Sequence, residues 1–248
     1  MSKQKLIDVY ELPEVSNICN QVLREVISLS KVSLAHVTMA AGNISLWHQH
    51  SRMTEIYFIL KGEGILYYGN QALQAETGLY LVLPPNTPHR LKNTGGHDLE
   101  HLVFAIPPFN LDDVKLLEDV SMEEIVPKRF NYDQPLITAS DGALIRELMN
   151  VEERKSLNVA LAIGFLSTKR RAIPHYHQIS EEIYYILGGN GLAKVGEQTF
   201  EVKKDSVIYV PANYIHALEN KSDSEELCVL CLSSPAYTEG DFLKVSRN

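Results

Sequence analysis

The sequence of 248 residues predicts an all-β protein built as two tandem barrels. Three observations carry that expectation. A set of chemically distinctive residues recurs at constant spacing: His48, His50, Glu55, His89 and Asn93 return 127 positions later as His175, His177, Glu182, His216 and Asn220. Between these landmarks the apolar and β-branched runs are short and broken by Gly, Pro and Asn, the pattern of strands joined by turns. Two-residue turn signals also fall at matching places, Gly69-Asn70 in the first copy and Gly196-Glu197 in the second. Many short strands with turn residues point to a sandwich or a barrel, and a repeat sets the domain count before any finer reading.

Along the chain, Val22-Leu23-Arg24-Glu25-Val26-Ile27 resembles Leu144-Ile145-Arg146-Glu147-Leu148-Met149 at an offset of 122, so the second copy has a longer connection after this strand. Further strands are expected over residues 55–60, 64–68, 79–83 and 99–106, and the run from Glu55 to Leu60 returns at 182–187. Gly62 and Gly64 return as Gly189 and Gly191, Pro84 and Asn86 as Pro211 and Asn213, and Pro108 aligns with Pro235. The boundaries read from this are a first domain over 1–115, a linker over 116–135 and a second domain over 136–248. Within the polar, acidic connection, residues 119–125 suit a short helical turn with Ser121 as N-cap and Glu124 at the capping-box position.

Composition narrows the function classes. Hydrophobic residues make up 45% and charged residues 22%, an ordinary soluble balance. A formal net charge of −8 with no run of Lys or Arg argues against nucleic acid, which needs a concentrated basic face. No apolar stretch is long enough to span a bilayer, and Asp8 interrupts the apolar start that a secretory signal would need. Cys19, Cys228 and Cys231 make no disulfide framework, so the cytoplasm is the expected compartment. The expected partner is a small-molecule substrate, not nucleic acid or a membrane; a homodimer stays open.

The repeated polar residues have the makings of a metal site. His48 and His50 are two apart, so on a strand their side chains share a face. Glu55 follows at an odd spacing, so residues 51–54 must bend the chain before Glu55 can face the same way. His89 arrives from a distant segment, after the stiff turn Pro84-Pro85-Asn86-Thr87-Pro88. His175, His177, Glu182 and His216 repeat the set. Imidazole with carboxylate suits a borderline divalent ion such as Fe, Mn, Ni, Co or Zn, one ion per barrel. Six of the nine histidines fall at repeated positions; His36, His97 and His101 do not recur and receive no role. Tyr57 and Tyr184 share the glutamate's face, either as pocket residues or as core filling. Arg24 and Arg146 recur, either to bind an anion or to pair with a surface carboxylate. Trp47, next to His48, points the other way, to packing. Cys228 and Cys231, three apart on an apolar strand, read as core.

These residues resemble the two motifs of the cupin superfamily. The first motif is matched by Gly42, His48, His50, Glu55 and Gly62; the second by Gly78, Pro84, His89 and Asn93, with Asn86 in place of a glycine. Asn is the non-glycine residue that best tolerates a left-handed backbone. The second copy matches through His175, His177, Glu182, Gly189, Pro211, His216 and Asn220, and departs at Lys169 and Asp205, where the family has glycine in turns. The resemblance covers nearly the whole chain. It implies two cupin barrels of the double-stranded β-helix (jelly-roll) type. It also implies a metal-dependent enzyme on a small organic substrate, with Fe(II)-type dioxygenation ahead. Isomerisation of a sugar phosphate or keto acid is the alternative enzyme reading, and non-catalytic small-molecule binding the alternative of another class. In that reading Glu55 and Glu182 are metal ligands and catalytic proton acceptors. Arg52, Tyr67 and Lys194 differ between the copies and are candidate pocket residues, and the first barrel is the favoured catalytic one because it keeps Gly42 and Gly78 and adds Arg52.

Overall fold

The computed structural model describes residues 5–119, 125–129 and 134–245. The helical turn expected over 119–125 therefore lies largely outside the described residues. Two compact units are present, Leu12–Asn131 and Met1–Glu11 with Tyr132–Asn248.

Each unit is a barrel of antiparallel strands in two sheets. In the first, a six-stranded sheet runs Val15–Ser16, Val22–Ser28, Ser33–Met39, Leu99–Ile106, Thr54–Lys61, Tyr80–Leu83. The facing five-stranded sheet runs Val114–Leu116, His48–His50, His89–Asn93, Glu63–Tyr68, Gln71–Glu76. The second unit repeats this with Ile137–Thr138, Leu144–Glu147, Ala160–Leu166, Leu227–Ser234, Glu181–Gly188 and Ser206–Val210, and opposite them Phe242–Lys244, His175–His177, His216–Asn220, Asn190–Val195 and Gln198–Lys203. Alternate residues of the strands turn inward. Val37, Met39, Tyr57, Ile59, Leu66, Leu91 and Leu99 form one core, and Leu166, Tyr184, Ile186, Ala193, Val195, Ile208 and Val229 the other. Each fully buried large side chain contributes about 1.5–3 kcal/mol.

The turns behave as their residues require. Gly69-Asn70 and Gly196-Glu197 close two-residue hairpins between paired strands. Lys169 and Asp205, which stand where the first copy has Gly42 and Gly78, adopt positive φ of 56° and 68°, and Asn86 and Asn213 adopt 61° and 66°. At Gly64 and Gly191 the strands cross so closely that a Cβ would lie 2.3 Å from Lys92 O and 2.2 Å from Glu219 O. The longer connection of the second copy contains the helix Val151–Leu157, started by a capping box between Asn150 and Glu153. Among the described residues no helix is long and apolar enough to cross a membrane.

The domain boundaries differ from those read in the sequence. Residues Lys5–Asp8 pair with Ser206–Val210 of the second barrel. Ile7 and Val9 are buried there, and Asp8 pairs with Lys203 at 2.9 Å. A fully buried edge strand such as Ser206–Val210 needs a partner for its free N–H and C=O groups. Within the linker, Lys128 bridges to Leu73, exchanging backbone bonds with Ala72 and Gln74. Those residues belong to the first unit.

Candidate metal centres

His48 and His50 leave their three-residue strand on one face, both buried. The bend at residues 51–53 is held by a carboxylate that the sequence reading missed. Asp113 is buried and accepts N–H bonds from Ser51, Arg52 and Met53 at 2.8–3.2 Å. Asp241 does the same for Gln178, Ile179 and Ser180 at 2.9–3.0 Å. Burial pushes both carboxyls up, but these hydrogen bonds outweigh it and hold them below their usual value. The clamp turns the chain so that Glu55 and Glu182 re-enter on the histidines' side. His89 and His216 pair across to His48 and His175 from the neighbouring strand. Asn93 and Asn220, completely buried, tie the loops beyond: the Asn93 amide donates to Met39, Ala40 and His97 carbonyls, that of Asn220 to Leu166 and Glu225.

The ligand atoms of His48, His50, Glu55 and His89 all lie within 4.8 Å of one another, as do those of His175, His177, Glu182 and His216. Both sets are buried. The ring orientations are set from behind. Nδ1 of His48, His89, His175 and His216 sits 2.8–2.9 Å from a backbone carbonyl two residues upstream. His177 Nδ1 sits 3.2 Å from Asp241 O. A carbonyl fixes the proton on Nδ1 and leaves the Nε2 lone pair for a metal.

The inward nitrogens confirm the fit. His89 Nε2 and His50 Nε2 lie 3.1 and 3.3 Å from Glu55 Oε2, and His216 Nε2 lies 3.0 Å from Glu182 Oε2. Yet His50 and His216 Nε2 are buried without hydrogen-bond geometry to any partner. Convergent, unpaired imidazole nitrogens around an ionised carboxylate suit a divalent cation. Burial raises both glutamates, but their histidine neighbours outweigh it and hold them well below the usual carboxylate range. Burial, followed by the neighbouring imidazole, pushes His48 and His175 down to about 4. Burial also acts to lower His50 and His216, but their glutamates outweigh it and raise both.

The structure sorts the other candidates. Tyr184 donates to Glu182 Oε2 at 2.7 Å. Tyr57 is buried with its ring edge-on to His89 at 5.8 Å. Burial, then the glutamate charge, raises both phenols well above their usual value. Arg52 does not enter the site: its side chain is 63% exposed and turns back to Asp113. Tyr67 alternates with the inward Leu66 and packs outside with Trp47, Ala72 and the Arg90 guanidinium. Lys194 is exposed between the inward Ala193 and Val195. None of the three joins the metal group, and the reason for favouring the first barrel through Arg52 falls with it. Arg24 pairs with Glu14. Arg146 lies between Ile145 and Glu147, whose side chains line the second cavity, and so points away from it.

Strand register corrects the alignment of the copies after Asn93. Tyr57 pairs with Val103 and Tyr184 with Cys231; Ile59 pairs with His101 and Ile186 with Val229. His101 therefore corresponds to Val229, and Pro107, not Pro108, to Pro235. Cys231 is not merely core: its thiol approaches Glu182 Oε1 at 3.5 Å.

A cavity of about 410 Å³ lies inside the second barrel, and its wall includes His175, His177, Glu182 and His216. Phe242 stacks on His175 at 4.4 Å and Tyr237 stands edge-on to His177 at 5.6 Å. The space follows from side-chain size. Gly164 stands where the first barrel has Val37, Ala143 where it has Gln21, and Val229 where it has His101.

Two barrels of this topology, each with three histidines and a glutamate converging inside, define a duplicated metal-site β-barrel protein. The chain belongs to the cupin family: the model of the cupin domain matches residues 35–104 and again 166–233. Among curated relatives, an uncharacterised protein of Methanocaldococcus jannaschii is 37% identical over 118 residues, 48% of this chain and 93% of its own length. The oxalate-binding protein of Thermotoga maritima is 31% identical over 72 residues, 29% of this chain and 60% of its own. Among solved structures, Bacillus subtilis oxalate decarboxylase, studied for its Mn(II) centres, superposes with a TM-score of 0.74 at 16% identity, covering 97% of this chain and 79% of that one. At that identity the likeness shows the bicupin fold.

Proposed function

We propose that the protein is a metal-dependent enzyme whose second barrel acts on a small organic molecule, with dioxygenation as the reaction class. The observation that carries the reading is the cavity of about 410 Å³ whose wall contains all four ligands of one centre. A volume of this size takes a compact organic molecule. His175, His177, Glu182 and His216 would hold the ion, and a redox-active divalent metal such as iron would supply electron exchange between substrate and dioxygen. The chain's own part is to orient and to move a proton. Glu182, kept ionised, is placed to accept a hydrogen from a substrate hydroxyl at a carboxylate oxygen, and Tyr184 holds Oε2 in place. Tyr237 and Phe242 wall the ligand against His177 and His175.

A second reading, binding or turnover of a small carboxylic acid with manganese, is favoured by the oxalate-binding relative and the oxalate decarboxylase fold. Dioxygen uptake separates the two. Protein loaded anaerobically with Fe(II), and separately with Mn(II), is mixed with a panel of enols, aromatic diols and small acids in an oxygen electrode. Uptake in step with substrate loss is the expected result. Turnover without dioxygen selects decarboxylation or isomerisation, and binding without turnover selects a non-catalytic role.

A further inference from the structure

The second cavity carries charge beyond its metal ligands. Four carboxylates line it: Asp141, Glu147, Glu182 and Glu239. Apart from the histidines, its one cation among the described residues is Arg154. That guanidinium is already engaged, donating to Glu147 Oε1 at 2.8 Å and to Tyr237 O at 3.1 Å. Glu182 belongs to the metal group, Glu147 to Arg154, and Glu239 is exposed. Asp141 is left as the carboxylate with no cation beside it in the lining.

Its position is built in. Ala143 N–H donates to Asp141 Oδ1 at 3.0 Å, and Ile173 N–H to the Asp141 carbonyl at 2.8 Å. Asp141 lies close enough to Glu182 and His216 for their charges to act on it, and burial raises its carboxyl. The corresponding residue of the first barrel is Cys19, whose carbonyl accepts from Leu46 as that of Asp141 does from Ile173. The acid is thus particular to the second barrel. Most of the remaining wall is apolar, including Ile145, Leu166, Val229 and Phe242.

We infer that this cavity takes a neutral or singly charged organic molecule with an apolar body and a hydroxyl or amino hydrogen directed at Asp141, and that Asp141 selects against dianions of the oxalate type. The inference rests on the proposed metal-dependent reading. A divalent ion with Glu182 leaves one net positive charge, which Asp141 balances. A dianion would bring two further negative charges beside that carboxylate at low dielectric, with no free cation to meet them. An O–H or N–H donor instead gains a charge-assisted hydrogen bond.

The test uses full-length protein loaded with Zn(II), which is redox-silent, titrated calorimetrically with catechol and with oxalate. Wild type is expected to bind catechol roughly tenfold tighter than oxalate or better. Asp141→Asn, and Asp141→Cys with the first barrel's residue, should lose about tenfold in catechol affinity and gain in oxalate affinity. Zinc content and melting temperature should stay unchanged, so the shift in preference reads charge and not folding. A wild-type preference for oxalate, equal losses for both compounds in the variants, or binding of neither compound by zinc-loaded protein would overturn the inference while leaving the metal reading intact. Protein that takes up no zinc would overturn the metal reading and this inference with it.

Discussion

The first and second barrels hold the same four ligands on the same strands, with the same carboxylate clamp and the same buried asparagine beyond. What surrounds the ligands differs. The first centre lies among Cys19, Gln21, Val37 and His101; the corresponding places of the second are Asp141, Ala143, Gly164 and Val229. The second set is smaller at three of the four positions and acidic at the other. The metal group depends on backbone geometry, which the repeat preserves. The cavity depends on side-chain volume and charge on several strands, which have diverged. Duplication thus kept the means of holding an ion while the walls around it diverged, and in the second copy that wall encloses a cavity.

The comparison breaks most decisively on activity. With a substrate identified by the dioxygen assay, Glu182→Ala should cost about 100-fold or more, since even residues that only orient metal ligands cost roughly 10–100-fold. Glu55→Ala should leave turnover within a few-fold of wild type. Each variant's metal content is measured alongside. Equal losses would show that the two barrels work alike.

The clamp offers a test on which the barrels should agree. Asp113→Ala and Asp241→Ala each remove the acceptor of three N–H groups, one of them buried (Met53 or Ser180), and free the bend between histidines and glutamate. Each should weaken metal binding at its own centre by roughly 10–100-fold, leaving the other centre filled. Metal titration with a competing chelator reads this as one weakened class of site beside one unchanged class. Simultaneous weakening of both sites in either variant would contradict independent centres.

The metal ligands were legible in the sequence because His-x-His and the later His recur in register, and a chance pair would not. The clamp was harder to see. Asp113 and Asp241 are 128 positions apart, not 127, and their neighbours differ: Asp112 and Val114 against Gly240 and Phe242. The extra residue falls in the loop after Asn93 and Asn220, and it also misaligned His101 and hid Cys231 opposite Tyr184. Tyr67 and Lys194 differ between the copies, but the period-2 alternation with inward Leu66 and Ala193 turns both away from the interior. The pairing of Lys5–Asp8 with Ser206–Val210 joins segments about 200 residues apart, and no local pattern announces such a partner. The cavity needed the volumes of side chains on separate strands to be set beside one another.

The smallest expected effect concerns His101, a polar side chain of the first interior whose place Val229 takes in the second. It is completely buried in the first barrel, its ring 5.0 Å from that of Tyr57, and neither nitrogen has a hydrogen-bond partner. Burial first, and His36 second, push its pKa down to about 3. In the unfolded chain a histidine titrates near 6.5. The folded value is depressed, so between these values the unfolded state binds a proton that the native state refuses. Stability from this residue is therefore fully present above about pH 6.5 and is lost progressively as pH falls toward 3. His101→Leu removes that loss. At pH 8 the variant should be within about 1 kcal/mol of wild type, since two unpaired nitrogens are exchanged for apolar volume. At pH 5 it should be more stable than wild type by about 1–2 kcal/mol. Urea unfolding of metal-free protein at the two pH values measures the difference directly. A gap between variant and wild type that does not widen on acidification would mean that His101 is protonated or paired in the native barrel, and the contrast with Val229 would then be one of shape alone.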